Sequence, residues 1–391
     1  MPATVSEDSI PYLRPYDVFE YLPPETDRIS RHRTKNSEDY LISADDILQT
    51  RSGRNLGPVT LADEYLAKFA VSDDMIRIRI ENEHERYYSF AFLRSVMGQR
   101  ILRGELGGSV ISHISPDHVS GIAVPFIDSI EVQVVSLVRK AVSLRGSARS
   151  VLHSAVGKVN ANFPVLGSKS MSSWSAHSQA LKSRFDAAFH SRAVCDVRAL
   201  LEDGVALEDA ADVVKPAGRH KMVYVDPGHG TPLLSGRQIL QADVVAAKHL
   251  SKRSAQAAGG FELQPKSVVF QADGRAGEGL GYPAMVTNDR QGWLASGHVG
   301  RLLPSSTVEP GWLWAAFASD IVQIQIAALC CGSVVDALYP NDLKRVLLPP
   351  RRLVDSSAVE QAWDTMAEAG RLFDQASRLI DEVLDESDVI T

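Results

Sequence analysis

Residues 107–125 read GGSVISHISPDHVSGIAVP, and residues 331–349 read CGSVVDALYPNDLKRVLLP. The two stretches share one frame: Gly108 stands against Gly332, Ser109 against Ser333, Pro116 against Pro340 and Pro125 against Pro349, always 224 positions apart (332 − 108 = 349 − 125 = 224). A fixed offset means that one unit occurs twice in the chain, and that duplication governs the reading of everything else.

The likeness extends upstream. YYSFAFLRSVMGQRIL (87–102) parallels GWLWAAFASDIVQIQI (311–326), again at 224, with Ser95 on Ser319 and Gln99 on Gln323. Apolar positions recur there in steps of three and four, the pattern of a helix packed on its own domain. Further back, DDILQTRSG (45–53) aligns with KSVVFQADG (266–274) at 221, an apolar strand entering a glycine-bearing loop. The shift from 221 to 224 is a loop insertion of three residues in the second copy. Each copy therefore reads as several strands, a packed helix and a closing strand that ends in proline, an α+β unit. A long lead-in, RFDAAFHSRAVCDVRALLEDGVALEDAADVV (184–214), precedes PLLSGRQIL (232–240), whereas the first copy opens at PYLRPYDVF (11–19). The first unit is accordingly expected to be abbreviated at its start, or to begin at a start codon further upstream.

A different helix follows each closing proline. Ile127, Ile130, Val134, Leu137, Ala141, Leu144, Ala148, Val151 and Ala155 form one narrow stripe, and Val359, Ala362, Met366, Ala369, Phe373, Ala376, Ile380 and Val383 form another. A stripe so narrow is a two-helix seam, and its alanines permit close approach. Two such helices of about 28 residues, about 42 Å long, predict a rod between two lobes. Val132, Val135, Val138 and Val142 lie off the first stripe and read as an outer patch for a partner.

Composition bounds what these units do. At 391 residues with 45% hydrophobic content the chain can hold two domains with cores of their own. The formal charge of −7 argues against a uniformly basic coat without excluding a local basic patch. Acidic residues crowd 355–388, and Arg28, Arg31, His32, Arg33 and Lys35 crowd one segment near the start. Cys195, Cys330 and Cys331 lack metal or disulfide spacing, no apolar run reaches the roughly 18 residues of a membrane span, and the first residues do not resemble a signal peptide. A cytoplasmic protein without membrane contact is expected.

Two units that each close on the motifs "helix, GQ, GS-V/I, Pro" and are each followed by a long helix resemble the specificity subunit of type I restriction-modification systems. The resemblance runs over nearly the whole chain. PLLSGRQILQ (232–241), SDIVQIQI (319–326) and GSVVDALYPNDLKRVLLP (332–349) are most like that family's target recognition domains, and LRSVMGQRI (93–101) with 107–125 carry the same signals in the first copy. The short start is a departure. The resemblance implies two repeated mixed α/β target recognition domains, 1–126 and 180–350, joined by a helical spacer and linker, 127–179, and a second spacer helix, 351–391, as an antiparallel coiled coil. It implies a bipartite double-stranded DNA target, two methyltransferase subunits and restriction subunits as partners, and no catalysis, cofactor or metal in this chain.

Candidate DNA contacts follow from the duplication. Arg28, Arg31, Arg33 and Lys35 in DRISRHRTK (27–35) coincide at 221 with Lys248, Lys252 and Arg253 in AKHLSKR (247–253), and such side chains neutralise phosphates or read guanine. The loops TRSGRNLG (50–57) and ADGRAGEGLG (272–281) coincide too and carry Arg51, Arg54 and Arg275; they match no nucleotide-binding fingerprint and are either hairpin connections or groove probes. Arg237 and Gln238 sit where Tyr16 and Asp17 sit in the first copy; Gln238 can read adenine, and a turn residue satisfying backbone groups is the plainer role. His229 and the HER of 84–86 have no nucleophile or carboxylate at a spacing that fixes catalysis. Two rivals remain, a free-standing DNA-binding regulator and an enzyme with a site between the duplicated halves.

Overall fold

The computed structural model describes residues 8–52, 56–104, 113–164, 175, 184–216, 221–276, 278–332 and 335–388. Gly108, Ser109 and Ser333 of the duplicated motif, and Arg54, lie outside the described residues. The chain divides into two units: an N-terminal unit drawn from Val5–Ser150, Gln241–Ala246 and Thr365–Thr391, and a C-terminal unit drawn from Val151–Leu240 and Ala247–Asp364.

The first copy runs through β1 (Ser9–Leu13), β2 (Arg28–Ser30), β3 (Ile47–Thr50), β4 (Val59–Leu61), β5 (Ala70–Val71), β6 (Met75–Ile78), α1 (Glu83–Arg94), α2 (Val96–Gly104) and α3 (Pro116–Ser120) into α4 (Glu131–Asn160). Its sheets have the orders β2-β1-β5 and β4-β3-β6. Every residue of β3 is buried, which is why ILQT carries no alternation. The Asn82 carboxamide caps α1 by accepting from the amides of His84 and Glu85, at 2.9 and 3.2 Å. Ser95 breaks the chain into α2 and caps it through its hydroxyl. Gly98 has no substitute there, since a Cβ would stand 2.0 Å from the Phe92 carbonyl oxygen.

The second copy runs through α5 (Arg192–Leu200), β7 (Val205–Ala206), α6 (Leu207–Ala210), β8 (Ala211–Val214), β9 (Tyr224–Val225), β10 (Gly230–Leu234), β11 (Lys248–Ser251), α7 (Lys252–Ala257), β12 (Val268–Gln271), β13 (Asp273–Gly274), β14 (Pro283–Met285), β15 (Leu294–Ala295), β16 (Val299–Pro304), α8 (Pro310–Ala318), α9 (Asp320–Leu329), β17 (Asp336–Ala337), α10 (Pro340–Leu343) and β18 (Leu347–Leu348) to α11 (Ser356–Asp388). Its sheets include the orders β15-β10-β11-β9 and β14-β12-β16-β8.

Register shows the duplication residue by residue. Ser9 pairs with Ser30 and Gly230 with Ser251, both shifted by 221 (230 − 9 = 251 − 30). Ile47 pairs with Leu61 and Ile78, and Val268 with Met285 and Leu302, so β3 keeps the 221 shift while β4 and β6 take 224. The three extra residues therefore fall between β12 and β14. Asp45 and Lys266, at matched places before β3 and β12, both take the left-handed conformation, with φ of 66° and 65°. Gln99 donates to the carbonyls of Gly57 and Leu93, and Gln323 to those of Gly281 and Phe317, the same bonds 224 residues on. Among the described residues the first copy has no counterpart of α5, β7, α6, β8 and β9.

In the N-terminal unit the first part of α4 and the last part of α11 share one core with α1 and β3: Val134, Val138 and Ala141 lie with Ala369, Phe373, Ala376 and Ile380, and Phe90 meets Phe373 edge-on at 5.1 Å. The α11 stripe is buried as its periodicity predicts, from Val359 to Ile380. The α4 stripe requires correction. Its buried line is Val134, Val138, Ala141, Arg145, Ala148, Leu152, Ala155 and Val159, while Val151 is 37% exposed. The valine patch also fails, because Val135 and Val138 are fully buried and only Val132 stands well out, at 75% exposure. An arginine at a seam position broke the apolar pattern and moved the reading onto the neighbouring line.

That arginine belongs to a buried network in the N-terminal unit. Arg145 meets the Asp243 carboxylate with two bonds of 2.6 and 3.0 Å, and Arg94 reaches the same group at 3.1 Å. One turn on, Arg149 meets Asp63 at 2.9 Å and the carbonyls of Tyr21 and Glu20 at 2.9 and 2.7 Å. Burial alone would raise the Asp243 carboxyl, yet Arg145 and then Arg94 override it and hold it far below the usual carboxylate range. Beside it Glu20 bridges to Gln241, its own equivalent in the second copy at 221 (241 − 20).

No single helix among the described residues is long and apolar enough to cross a membrane. The bent pair α8 and α9 matches a span in length and composition, and α8 is buried from Gly311 to Phe317 within the C-terminal unit.

Candidate nucleic-acid interface

The basic segment of the N-terminal unit is largely neutralised by its own neighbours. Arg28 lies on β2 and clasps β1, donating to the Ser9 hydroxyl at 2.7 Å and the Ser9 carbonyl at 2.9 Å. Arg31 is paired with Glu38, and His32 lies 3.3 Å from Asp8. Arg33 and Lys35 are exposed and carry no ion pair among the described residues. Arg28 is thus a structural clasp, Arg31 a paired surface cation, and Arg33 and Lys35 the two free charges of the group.

The matched segment of the C-terminal unit is different. Lys248, on the four-stranded sheet, has its ammonium 4.8 Å from the ring centre of Tyr224 on the neighbouring β9. Lys252 and Arg253 open α7, exposed and without an ion pair among the described residues. Cations at a helix N-terminus oppose its dipole, so stability does not account for them. Lys221 and Tyr224 extend the group, and Met222 and Val223 between them are 41% and 43% exposed. An aromatic ring among four unneutralised cations can hold phosphates and stack on a base. The sequence reading missed Lys221 and Tyr224 because β9 has no counterpart in the first copy; the basic run followed by an apolar pair and a tyrosine in RHKMVY was the available signal.

Lys248 pairs across from Leu233, at the end of β10 that leads into the turn of Ser235–Gln238. Gln238 closes that turn, its side-chain oxygen accepting from the Ser235 amide and hydroxyl at 2.9 Å each, and Arg237 beside it is half-buried. The turn meets the loop after β12 at Gln271: a Cβ at Gly236 would lie 3.1 Å from the Gln271 side chain and one at Gly274 only 2.3 Å. The Gln271 side chain thus lies between the two glycines, and a side chain at either would have to displace it. Arg275 is exposed at the tip of this approach.

Beside Arg275 lies a group that the sequence did not reveal. Asp273 takes the Lys215 ammonium at 2.7 Å on one oxygen and the His298 ring nitrogen Nδ1 at 2.8 Å on the other. His298 is 71% exposed, and Tyr339, 52% exposed, has its ring centre 5.6 Å from the Lys215 ammonium. Residues from β8, β13, β16's approach and β17's exit meet here, a convergence no linear spacing displays. The matched place in the N-terminal unit is held by Ser52 hydrogen-bonded to Asp74. There Arg51 is half-buried, donates to the Asp73 carbonyl at 3.3 Å, and has its backbone tied to Asp74 and Ile114.

No group of three His, Cys, Asp or Glu side chains among the described residues could hold a metal ion. Burial pushes the Cys330 thiol up to about 11, which makes it a poor nucleophile near neutrality. His229 is exposed in a loop, and His84 is paired with Glu131.

Among solved structures, the HsdS subunit from Thermoanaerobacter tengcongensis matches 98% of this chain and 90% of its own, with 15% identity and a TM-score of 0.31. The S subunit of a type I restriction-modification system from M. genitalium matches 100% and 89%, with 13% identity and a TM-score of 0.31. This chain resembles type I S subunits. A further similar chain comes from a structure on complex assembly and conformational transition of the type I restriction-modification system, matching 96% and 92% at 15% identity and a TM-score of 0.31. No family model and no curated protein matches the chain.

Proposed function

We propose that this chain is the DNA-recognition subunit of a type I restriction-modification complex, itself non-catalytic, which binds a bipartite duplex target and directs two methyltransferase subunits and the restriction subunits to it. The observation that carries this reading is a duplication faithful in register whose matched loops differ in chemistry. One scaffold used twice suits one kind of ligand, and different side chains at the same places suit two different half-sites. On this reading 1–126 and 180–350 are the two recognition domains, with 127–179 and 351–391 as the spacer. Residues 131–150 of α4 and 365–388 of α11 belong to the N-terminal unit, and residues 151–160 and 356–364 to the C-terminal unit, an opposite order that favours an antiparallel pair. A cytoplasmic location follows from partners that act on DNA.

The test is reconstitution with the co-purifying methyltransferase, followed by mapping of methylated sites. Exchanging residues 232–350 for the matching region of a relative should change one half of the methylated sequence and leave the other as it was. A change in both halves, or in neither, contradicts the proposal.

A further inference from the structure

Resting on that reading, we infer that Asp74 and His298 are the matched base-reading positions of the two units, and that each accepts a hydrogen bond from the exocyclic amine of adenine or cytosine. The two residues are equivalent at 224 (298 − 74), and each is held by the residue equivalent to the other's holder at 221 (Ser52 and Asp273; 273 − 52). A further shared bond marks the place: Ser52 bridges to His113, and Asp273 pairs with Ala337.

The polarity of each group follows from its partners. An ionised carboxylate only accepts, so the Nδ1 of His298 that faces Asp273 carries the proton. In the neutral ring this leaves Nε2 as an acceptor, and Asp273 is fixed in turn by Lys215. In the N-terminal unit the Ser52 hydroxyl donates to one Asp74 oxygen, and Asp74 is exposed. Both positions thus offer an acceptor. Adenine N6 and cytosine N4 are the amine donors of the major groove, whereas guanine offers only acceptors there. An exposed hydrogen bond contributes little to stability, so a ring that is 71% exposed and still held by Asp273 is accounted for by recognition rather than folding. Cations lie nearby, with Lys215 on the far oxygen of Asp273 and the Arg51 amide bonded to the Asp74 carbonyl.

The experiment uses the full chain with its methyltransferase and compares methylated sequences for the parent, His298→Arg and Asp74→Arg. Arginine offers donors that suit guanine O6 and N7. His298→Arg should reduce methylation of the parent sequence by about tenfold and move one base of one half-site toward guanine, and Asp74→Arg should do the same in the other half. Asp273→Asn, which loosens the ring, should relax the base preference at the His298 position alone. If the parent methylates a two-part sequence and both arginine variants keep that sequence and rate, the inference is overturned while the bipartite reading stands. Equal loss at every sequence also overturns it, since that outcome assigns the residues to the scaffold. A parent whose methylated sequence has no two halves overturns both.

Discussion

Arg145 of α4 and Asp243, 98 residues later, form a two-bond ion pair inside the N-terminal unit, with side chains only 1% and 7% exposed. The segment Gln241–Ala246 belongs to the second copy by sequence and to the N-terminal unit by packing. The pair therefore lies wholly within the N-terminal unit, although its members come from different copies. Removing one member leaves the other charge buried. Asp243→Ala should lower stability by about 3–5 kcal/mol, read as a drop in the denaturant midpoint of the full chain. The double replacement Arg145→Met with Asp243→Leu should recover most of that loss, since an apolar pair of similar volume needs no partner. A double variant as unstable as the single one would show that the charges themselves are required.

The same carboxylate sets an acid limit. Asp243 titrates far below its unfolded value of about 3.9, so its stabilising contribution is complete above that pH and is lost as pH falls toward the folded value. Unfolding free energy measured between pH 5 and pH 2.5 should fall more steeply in the parent than in Asp243→Asn. Parallel slopes would mean that other carboxylates govern acid unfolding.

Gln49 on β3 is fully buried, and neither its amide nitrogen nor its carbonyl oxygen has a hydrogen-bond partner among the described residues. Its equivalent at 221 is Phe270, packed on Phe317 at 5.4 Å. A buried unpaired amide destabilises by roughly 1–3 kcal/mol. Gln49→Leu should therefore raise the melting temperature by several degrees, and Phe270→Gln should lower it. A lower melting temperature for Gln49→Leu would point to an internal water held by the amide.

Much of this fold was legible in the sequence because a duplication supplies its own alignment. The strand at Ile47–Thr50 and the three-residue insertion followed from two offsets, whereas the stretch read as one packed helix over 87–102 is broken at Ser95, whose hydroxyl caps α2. The α4 seam was misread at Arg145, because a buried arginine looks like a surface residue until Asp243 is placed beside it, and that placement depends on the fold. Gln238 accepts from the Ser235 amide and hydroxyl and so closes its turn. The group of Lys215, Asp273 and His298 was invisible for the reason that hid Arg145: its members come from separate elements and share no spacing. Arg28 is engaged locally, by the Ser9 hydroxyl and carbonyl opposite it on β1, which the sequence did not display.

The two long helices give a direct contrast. Phe373 is 1% exposed within the core shared by α4 and α11, whereas Val132 is 75% exposed. Phe373→Asp places an unpaired charge in that core and should lower stability by several kcal/mol, while Val132→Asp should leave it within about 0.5 kcal/mol. Thermal melts of the full chain measure both. An unchanged melt for Phe373→Asp would contradict the shared core.

The basic surfaces separate by what holds each cation. Lys252 and Arg253 are exposed and unpaired among the described residues, and Lys248 faces Tyr224, so all three can release counterions from a phosphate backbone. Replacing Lys252 and Arg253 by Gln should weaken binding of the reconstituted complex to every DNA sequence and flatten the log-log salt dependence by about 0.9 for each phosphate no longer neutralised. Tyr224→Ala should weaken binding with little change in salt slope, because stacking is not an ionic term. Arg28→Gln should leave the slope alone and lower the melting temperature instead, since its guanidinium holds β1 to β2. Titrations at several salt concentrations beside melts of the same variants distinguish the three. A salt slope identical to the parent after replacement of Lys252 and Arg253 would place α7 away from the phosphates and leave Arg33, Lys35, Arg51 and Arg275 as the remaining cations to test against the backbone.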